Sequence, residues 1–545
     1  MFSAVLKAVA FYAFSWIVWK IRQRFFRKSA LDNIPGPPAK SLWKGVLPQV
    51  FNDNAWTFQK EMAEKYGGVV NLTGLLGDVQ LYVFDPIAMN HIVVKDTNTY
   101  EEATSIIAYD GLMSENVVWM WSSGSREQHR KQRKMLNPVF SIAHMRQMVP
   151  TFYNVADKLG DAIAKKVKAG PQEWIFSFDP LTEDGIPHPY TAAAKQVVPL
   201  TFKFLISRIY LLPILIKIGT PKLRRFFVNL APWKDLRDLR DLVDVLHKTT
   251  ADIIETKKAA LAEGDKAVAR QIGQGKDILS ILLRANMSAS KEGGLSEEEL
   301  GGQISTLTFA AMDTTSSALS RTLWLLANHQ DVQDRLRAEV QQARTQGDPA
   351  YDELVHLPYL DVVCRETLRL CVVALFILRN GADHHFSGYP PITVVARTTR
   401  QDSVLPLSNP IKGVDGNEMH EIIVPKDTDV FVSILSSNRN SNPEIWGPDS
   451  YEWKPERWLT SMPDAVVETR VPGVYSHLWV PAVEPFLSLS NLQQIEVVLS
   501  VLIASFKFSP SNKEVVWKMT GIVTPTTAGN KTPTPELPLV VELVA

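Results

Sequence analysis

Three short strings along the chain carry side chains able to move protons or to lock a buried charge in place. Asp313-Thr314-Thr315 follows a run of small residues, Glu366 and Arg369 flank Glu-Thr-Leu-Arg, and Arg457 sits within Pro-Glu-Arg-Trp. On a helix, residues three apart share a face, so Glu366 and Arg369 can pair. Such a network, once buried, adds little net stability but fixes geometry, because removing one member strands a charge. Upstream, His129 and Arg133 stand four apart in a basic run just before Met135-Leu136, an arrangement able to grip carboxylates from one helical face. Taken alone, each pattern also has a plain structural counterpart: a polar helix turn, a surface ion pair, a solvated basic face.

The elements that must position these residues are mostly helical. Apolar residues recur near the helical period over 55–66, 142–168, 236–261, 277–285, 296–328, 330–346 and 492–504. The segment 296–328 opens with a capping box, Ser296 and Glu299, and its length makes it a helix that crosses the core. Asp313, Thr314 and Thr315 fall in its middle, where hydroxyl side chains can bond a preceding carbonyl and bend the helix. Short β-branched or aromatic runs at 69–72, 80–84, 392–396 and 429–434 predict strands, with Arg397 following the third. The expected fold class is mainly α with a small β subdomain.

Bulk properties narrow the function. The chain has 545 residues, 45% hydrophobic, with 58 basic and 58 acidic side chains, so no global field favours a nucleic-acid partner. Two cysteines, Cys364 and Cys371, argue against a disulfide framework and for a reducing compartment.

The first 19 residues are apolar apart from Lys7 and two serines, and are followed by Lys20, Arg22, Arg24, Arg27 and Lys28. An eighteen-residue helix spans roughly 27 Å, close to the thickness of the endoplasmic reticulum bilayer. Residues 1–19 therefore read as a single-pass anchor, with the basic cluster holding the following body in the cytosol. A basic, proline-rich linker occupies 20–39, ending in Ile34-Pro35-Gly36-Pro37-Pro38, and 40–545 reads as one domain.

Ala-Ala-Met-Asp-Thr-Thr at 310–315, Glu-Thr-Leu-Arg at 366–369 and Pro-Glu-Arg-Trp at 455–458 together resemble the signature of the cytochrome P-450 (haem-thiolate monooxygenase) superfamily. The likeness extends over roughly 35–545 and is nearest to fungal membrane-anchored members. It implies a haem b cofactor, an NADPH-dependent reductase as electron donor, and insertion of one oxygen atom into an apolar small molecule of secondary metabolism. It further implies that Thr314 donates a hydrogen bond to dioxygen at the iron while Asp313 relays protons. His129, Arg133 and Arg397 would bind the haem propionates, and Glu366, Arg369 and Arg457 would form the supporting scaffold.

The chain also departs from that pattern. The family's iron is held by a cysteine at the end of a Gly- and Arg-rich loop, yet between Val474 and Thr520 there is no cysteine, glycine or arginine. In the expected window only His477 and Glu484 are conventional metal-binding side chains, and His477 lies too early to be the ligand. No metal ligand is therefore assigned, and Cys364 and Cys371 read as structural thiols. Residues 371–388 resemble an insertion, 479–491 a lost haem-ligand loop, and the passage from Lys168 to Leu181 lacks the family's intervening helix. Mis-spliced or decayed coding sequence accounts for all three. The rival to a monooxygenase is then a catalytically inactive, membrane-anchored remnant. A histidine-ligated peroxidase on the same scaffold would rest on His477 alone.

Overall fold

The computed structural model describes residues 29–41, 43–102, 141–176, 189–264, 275–288, 294–371, 394–439, 446–460, 486–520, 522–530 and 535–544, with isolated positions 15, 18 and 267. The strands in chain order are β1 (Val69–Thr73), β2 (Val79–Val83), β3 (Tyr100–Glu102), β4 (Gln172–Phe176), β5 (Val394–Thr399) and β6 (Ser403–Lys412). They continue with β7 (Glu418–Val424), β8 (Asp429–Ser433), β9 (Phe506–Pro510), β10 (Val515–Thr520), β11 (Ile522–Thr527) and β12 (Leu537–Leu543). The main helices are α1 (Trp56–Tyr66), α2 (Ile142–Val167), α3 (Pro189–Lys203), α4 (Leu205–Tyr210), α5 (Leu212–Leu215) and α6 (Pro221–Leu230). After these come α7 (Lys234–Glu263), α8 (Ile278–Ser288), α9 (Glu297–Asn328), α10 (Gln330–Ala343), α11 (Pro358–Cys371) and α12 (Phe486–Ser505).

These elements gather into two compact units. One draws its described residues from Met1–Ile106 and Val394–Pro448. It holds a five-stranded sheet in the order β1-β2-β8-β5-β3, in which β2 and β8 run parallel and the other neighbours antiparallel. Both faces are buried at its centre: Leu81, Val83, Val430 and Val432 are sealed on one, Tyr82 and Phe431 on the other. Tyr82 extends a hydroxyl to Ser433 Oγ at 2.7 Å, and burial pushes its phenol up to about 12. The hairpin β6–β7 slips register between Pro406 and Ile411, where prolines 406 and 410 cannot donate to the ladder.

The β5 strand begins at Val394 and runs to Thr399, so Arg397 lies inside it rather than beyond its end. Continued pairing explains the difference: Arg397 is opposite Val430 of β8 on one side and Glu102 of β3 on the other. The β-branched pair Thr398 and Thr399 suits that extension.

The second unit draws its described residues from Ile107–Thr393, Asp449–Pro463 and Gly473–Ala545. Its core is an apolar cluster fed by α2, α9, α10, α11 and α12 and by strands β4, β9 and β12, with Leu323, Leu336, Leu360, Leu502 and Phe508 each fully or almost fully sealed. The capping box that starts α9 is present: Glu299 N–H donates to Ser296 Oγ at 3.2 Å and Ser296 N–H to Glu299 Oε2 at 2.7 Å. The helix runs unbroken for 32 residues. Asp277 caps α8, accepting from Ser280 N–H at 3.0 Å, and so lies just outside the helix expected to include it.

Among the described residues no helix is long and apolar enough to cross a membrane. The expected anchor, residues 1–19, lies outside the described residues except for Ser15 and Val18, both helical. The expected insertion is likewise undescribed beyond Cys371, as are residues 479–485 of the expected lost loop. Residues 486–491 belong to α12, so that helix starts well before the expected Leu492.

Candidate functional site

The best-defined polar site is built on α11. Glu339 of α10 sits across the start of this helix, accepting from the Tyr359 and Leu360 amides at 2.9 and 2.8 Å, which satisfies two donors that a helix leaves open. Two turns further on, Glu366 and Arg369 face the same way, and both are 0% exposed. Arg369 donates Nε to Glu366 Oε2 and Nη2 to Oε1, each at 2.8 Å. Its Nη1 reaches the Ser450 carbonyl at 2.8 Å and Nη2 that of Glu452 at 3.2 Å.

The segment 449–458 closes over this pair. Arg457 Nε donates to Glu366 Oε1 at 2.9 Å, and the Lys454 amide to the same oxygen at 3.0 Å. The Trp458 indole donates to Glu366 Oε2 at 2.9 Å. Arg457 is in turn held by Asp449, through Oδ1 at 3.2 Å and the carbonyl at 3.0 Å. Two carboxylates thus balance two guanidiniums. Burial pushes the Glu366 carboxyl up, but the hydrogen bonds and charge of Arg369, with Arg457 and the Lys454 amide, outweigh it and leave its pKa below the ordinary carboxylate value.

Trp458 and Asp449 were not among the residues expected from sequence. Trp458 was nevertheless in view as the last letter of Pro-Glu-Arg-Trp, where an indole N–H beside a buried charge needs an acceptor.

The middle of α9 bears a row of hydroxyls. Thr314 is buried, at 4% exposure. Ser317 donates to the Val523 carbonyl of β11, and Thr322 to the Ala318 carbonyl at 2.9 Å. The Thr315 hydroxyl is buried with no hydrogen-bond partner among the described residues. Back-bonding of this kind competes with the helix ladder and favours bending. Asp313 lies on the same helix, and its side chain falls outside the described residues, as do His129 and Arg133 entirely. Arg397, on β5, turns its Nη1 to the Ala396 carbonyl of its own strand at 3.0 Å.

Both cysteines are on α11 and no cysteine follows Cys371 in the chain. Cys364 is 0% exposed within the apolar cluster. Burial pushes its thiol well above the usual range, and the charges of Glu496 and Asp361 add to that against the opposing Arg365. A metal-binding thiolate needs a cationic setting and an open side, whereas Cys364 is sealed and the raising effect of burial, Glu496 and Asp361 outweighs Arg365. The Cys371 side chain lies outside the described residues. Among the described residues no group of three or more His, Cys, Asp or Glu side chains could hold a metal ion.

The family model for cytochrome P-450 matches residues 35–390. Cytochrome P-450 monooxygenase 91 of Postia placenta is 46% identical over 569 aligned residues, covering 99% of each chain. A ganoderic acid synthetase of Ganoderma lucidum is 38% identical, covering 100% of this chain and 99% of its own. With a family model across well over half its length and fungal relatives aligned from end to end, this chain belongs to the cytochrome P-450 family of haem oxidoreductases.

Proposed function

We propose that the chain descends from a monooxygenase that inserts one oxygen atom of dioxygen into an apolar small molecule with electrons from an NADPH-dependent reductase. As written, it lacks the thiolate ligand that reaction needs. The observation that carries this reading is the pairing of a fully assembled Glu366–Arg369–Arg457 network with a sequence that has no cysteine after Cys371. Haem supplies the oxygen chemistry of the family, and Cys364, sealed in the core with its thiol protonated, does not fit as its ligand.

Within this reading Asp313 and Thr314 keep the proton-handling positions on α9. His129, Arg133 and Arg397 remain the proposed carboxylate-binding set, their basic and ring side chains suiting propionates of haem b. Residues 1–19 anchor the protein in the endoplasmic reticulum membrane with the body in the cytosol, supported by the apolar run and the basic cluster behind it.

The reduced carbon-monoxide difference spectrum tests the ligand. A folded protein, checked by circular dichroism, gives no thiolate-type Soret band after haem addition. A thiolate-type band that disappears in Cys371→Ala, or in Cys364→Ala, overturns the reading. A second reading, a remnant that binds no haem at all, is favoured by the complete burial of Cys364 and is distinguished by the absence of any haem-derived absorption after gel filtration.

A further inference from the structure

The strands β10 and β11 form a two-stranded sheet of their own, paired from Val515 with Thr527 to Thr520 with Ile522. A lone hairpin is marginal in water, so its place is set by what it leans on. At its open end the Ala528 amide donates to the Glu514 carbonyl at 2.9 Å, and the Glu536 amide, just before β12, donates to the Pro525 carbonyl at 3.0 Å. β10 also touches α3. Nearer the closed end β11 lies against α9, and Met519 and Val523 are buried.

Thr314, Ser317, Arg321 and Trp324 are spaced three, four and three apart and so share one face of α9. The hairpin runs along that face. Ser317 donates to the Val523 carbonyl. Toward the open end, Trp517 stands opposite Pro525 and packs on Arg321, whose guanidinium lies 4.5 Å from the centre of its ring and 4.7 Å from that of Trp324. The two indoles meet edge to face, with centroids 6.1 Å apart at 73°. These attachments match in spacing: Ser317 to Arg321 is about 6 Å of helix, and Trp517 to Met519, the partner of Val523, about 7 Å of strand. The Thr520–Ile522 end therefore points along α9 toward Thr314, which lies about 4.5 Å beyond Ser317.

A planar guanidinium can stack on two rings at once, whereas an ammonium cannot. We propose that Arg321 is a positioning residue: held between Trp324 and Trp517, it fixes where the closed end of the β10–β11 hairpin stands relative to Thr314. Only the role of Thr314 rests on the monooxygenase reading; the clasp itself needs no haem.

Hydrogen exchange of the full chain, followed peptide by peptide, tests this. Arg321→Met keeps the apolar stem and removes the charged plane; exchange over 515–527 accelerates roughly 5- to 30-fold, most at 519–523, the end that Glu536 does not hold. Exchange in α12 and β12 stays at the parent rate. Arg321→Lys recovers part of the protection. Trp517→Leu gives the same local pattern from the hairpin side, and carries the test where the α9 variant folds poorly. Combining it with Arg321→Met adds less than the product of the two single effects, because the contact is already lost. Parent-like exchange in Arg321→Met, acceleration spread evenly over α12 and β12, or single effects that multiply in full overturns the clasp; full protection in Arg321→Lys overturns the role of the flat guanidinium. Since no arm involves haem, failure of the carbon-monoxide test leaves this result standing, and the reverse holds too.

Discussion

Two buried carboxylates in the same unit, Glu366 on α11 and Glu496 on α12, have opposite fates. Glu366 is 0% exposed and receives N–H groups from two guanidiniums, an indole and a backbone amide. Glu496 is 1% exposed, and its Oε2 has no hydrogen-bond partner among the described residues. One turn earlier, Gln493 is 0% exposed with both amide atoms in the same condition. Burial pushes the Glu496 carboxyl well above its usual range, Asp361 adds to the shift, and Arg365 only partly opposes it.

Burial alone therefore does not decide the state of a charge; the number and aim of the donors do. The satisfied site is the one whose residues match the family pattern. The second pair follows residues 474–491, a stretch without cysteine, glycine or arginine.

The contrast can be broken first at Glu366. Glu366→Ala leaves Arg369 and Arg457 facing one another and costs about 3–5 kcal/mol of unfolding free energy in a denaturant titration. A loss below about 1 kcal/mol would mean the network is dispensable. Trp458→Phe keeps the ring and removes one donor, with an expected loss of about 1–3 kcal/mol. Equal stability of that variant and the parent would remove the indole from the network.

Glu496→Gln is expected to act in the opposite direction, gaining on the order of 1 kcal/mol at pH 7 because the costly ionisation is abolished. The two carboxyls also differ in pH dependence. The folded pKa of Glu366 is depressed, so its stabilisation is whole above about pH 4.3 and is lost as pH falls through the lower folded value. The folded pKa of Glu496 is raised, so its penalty is absent below about pH 4.3 and grows as pH rises toward the folded value. Parent and Glu496→Gln stabilities therefore converge in acid and separate toward neutral pH; parallel curves would show that Glu496 is solvated. The smallest effect is expected at Cys364. Its alkylation by iodoacetamide at pH 8 follows global unfolding, and rapid labelling of the folded protein would contradict the sealed environment.

Much of this was legible in the sequence, for reasons particular residues make plain. The capping box at Ser296 fixed the start of α9 to within a residue, because both partners are local. The Glu366–Arg369 pair followed from helical spacing alone, whereas Arg457 required the family resemblance, since nothing local connects positions some ninety residues apart. Asp449 and Trp458 escaped for the same reason: their contacts with the network are made by a folded-back segment, not by periodicity.

The region 189–230 hid its helices. Pro199, Pro213 and Pro221 interrupt the pattern, and Phe226, Phe227 and Leu230 face solvent rather than the core. The β6–β7 hairpin was masked by its two prolines and its slip in register. The burial of Gln493 and Glu496 was illegible in another way, because polar residues at such positions normally mark a helix's solvated face.

The central claim is the proposal that the scaffold around Glu366 is assembled in a chain that offers iron no sulfur ligand. X-ray absorption at the iron edge of the haem-loaded full chain measures this directly. The account requires a first coordination sphere of nitrogen and oxygen only; a sulfur scatterer bound to the iron, lost in Cys371→Ala or Cys364→Ala, would contradict it.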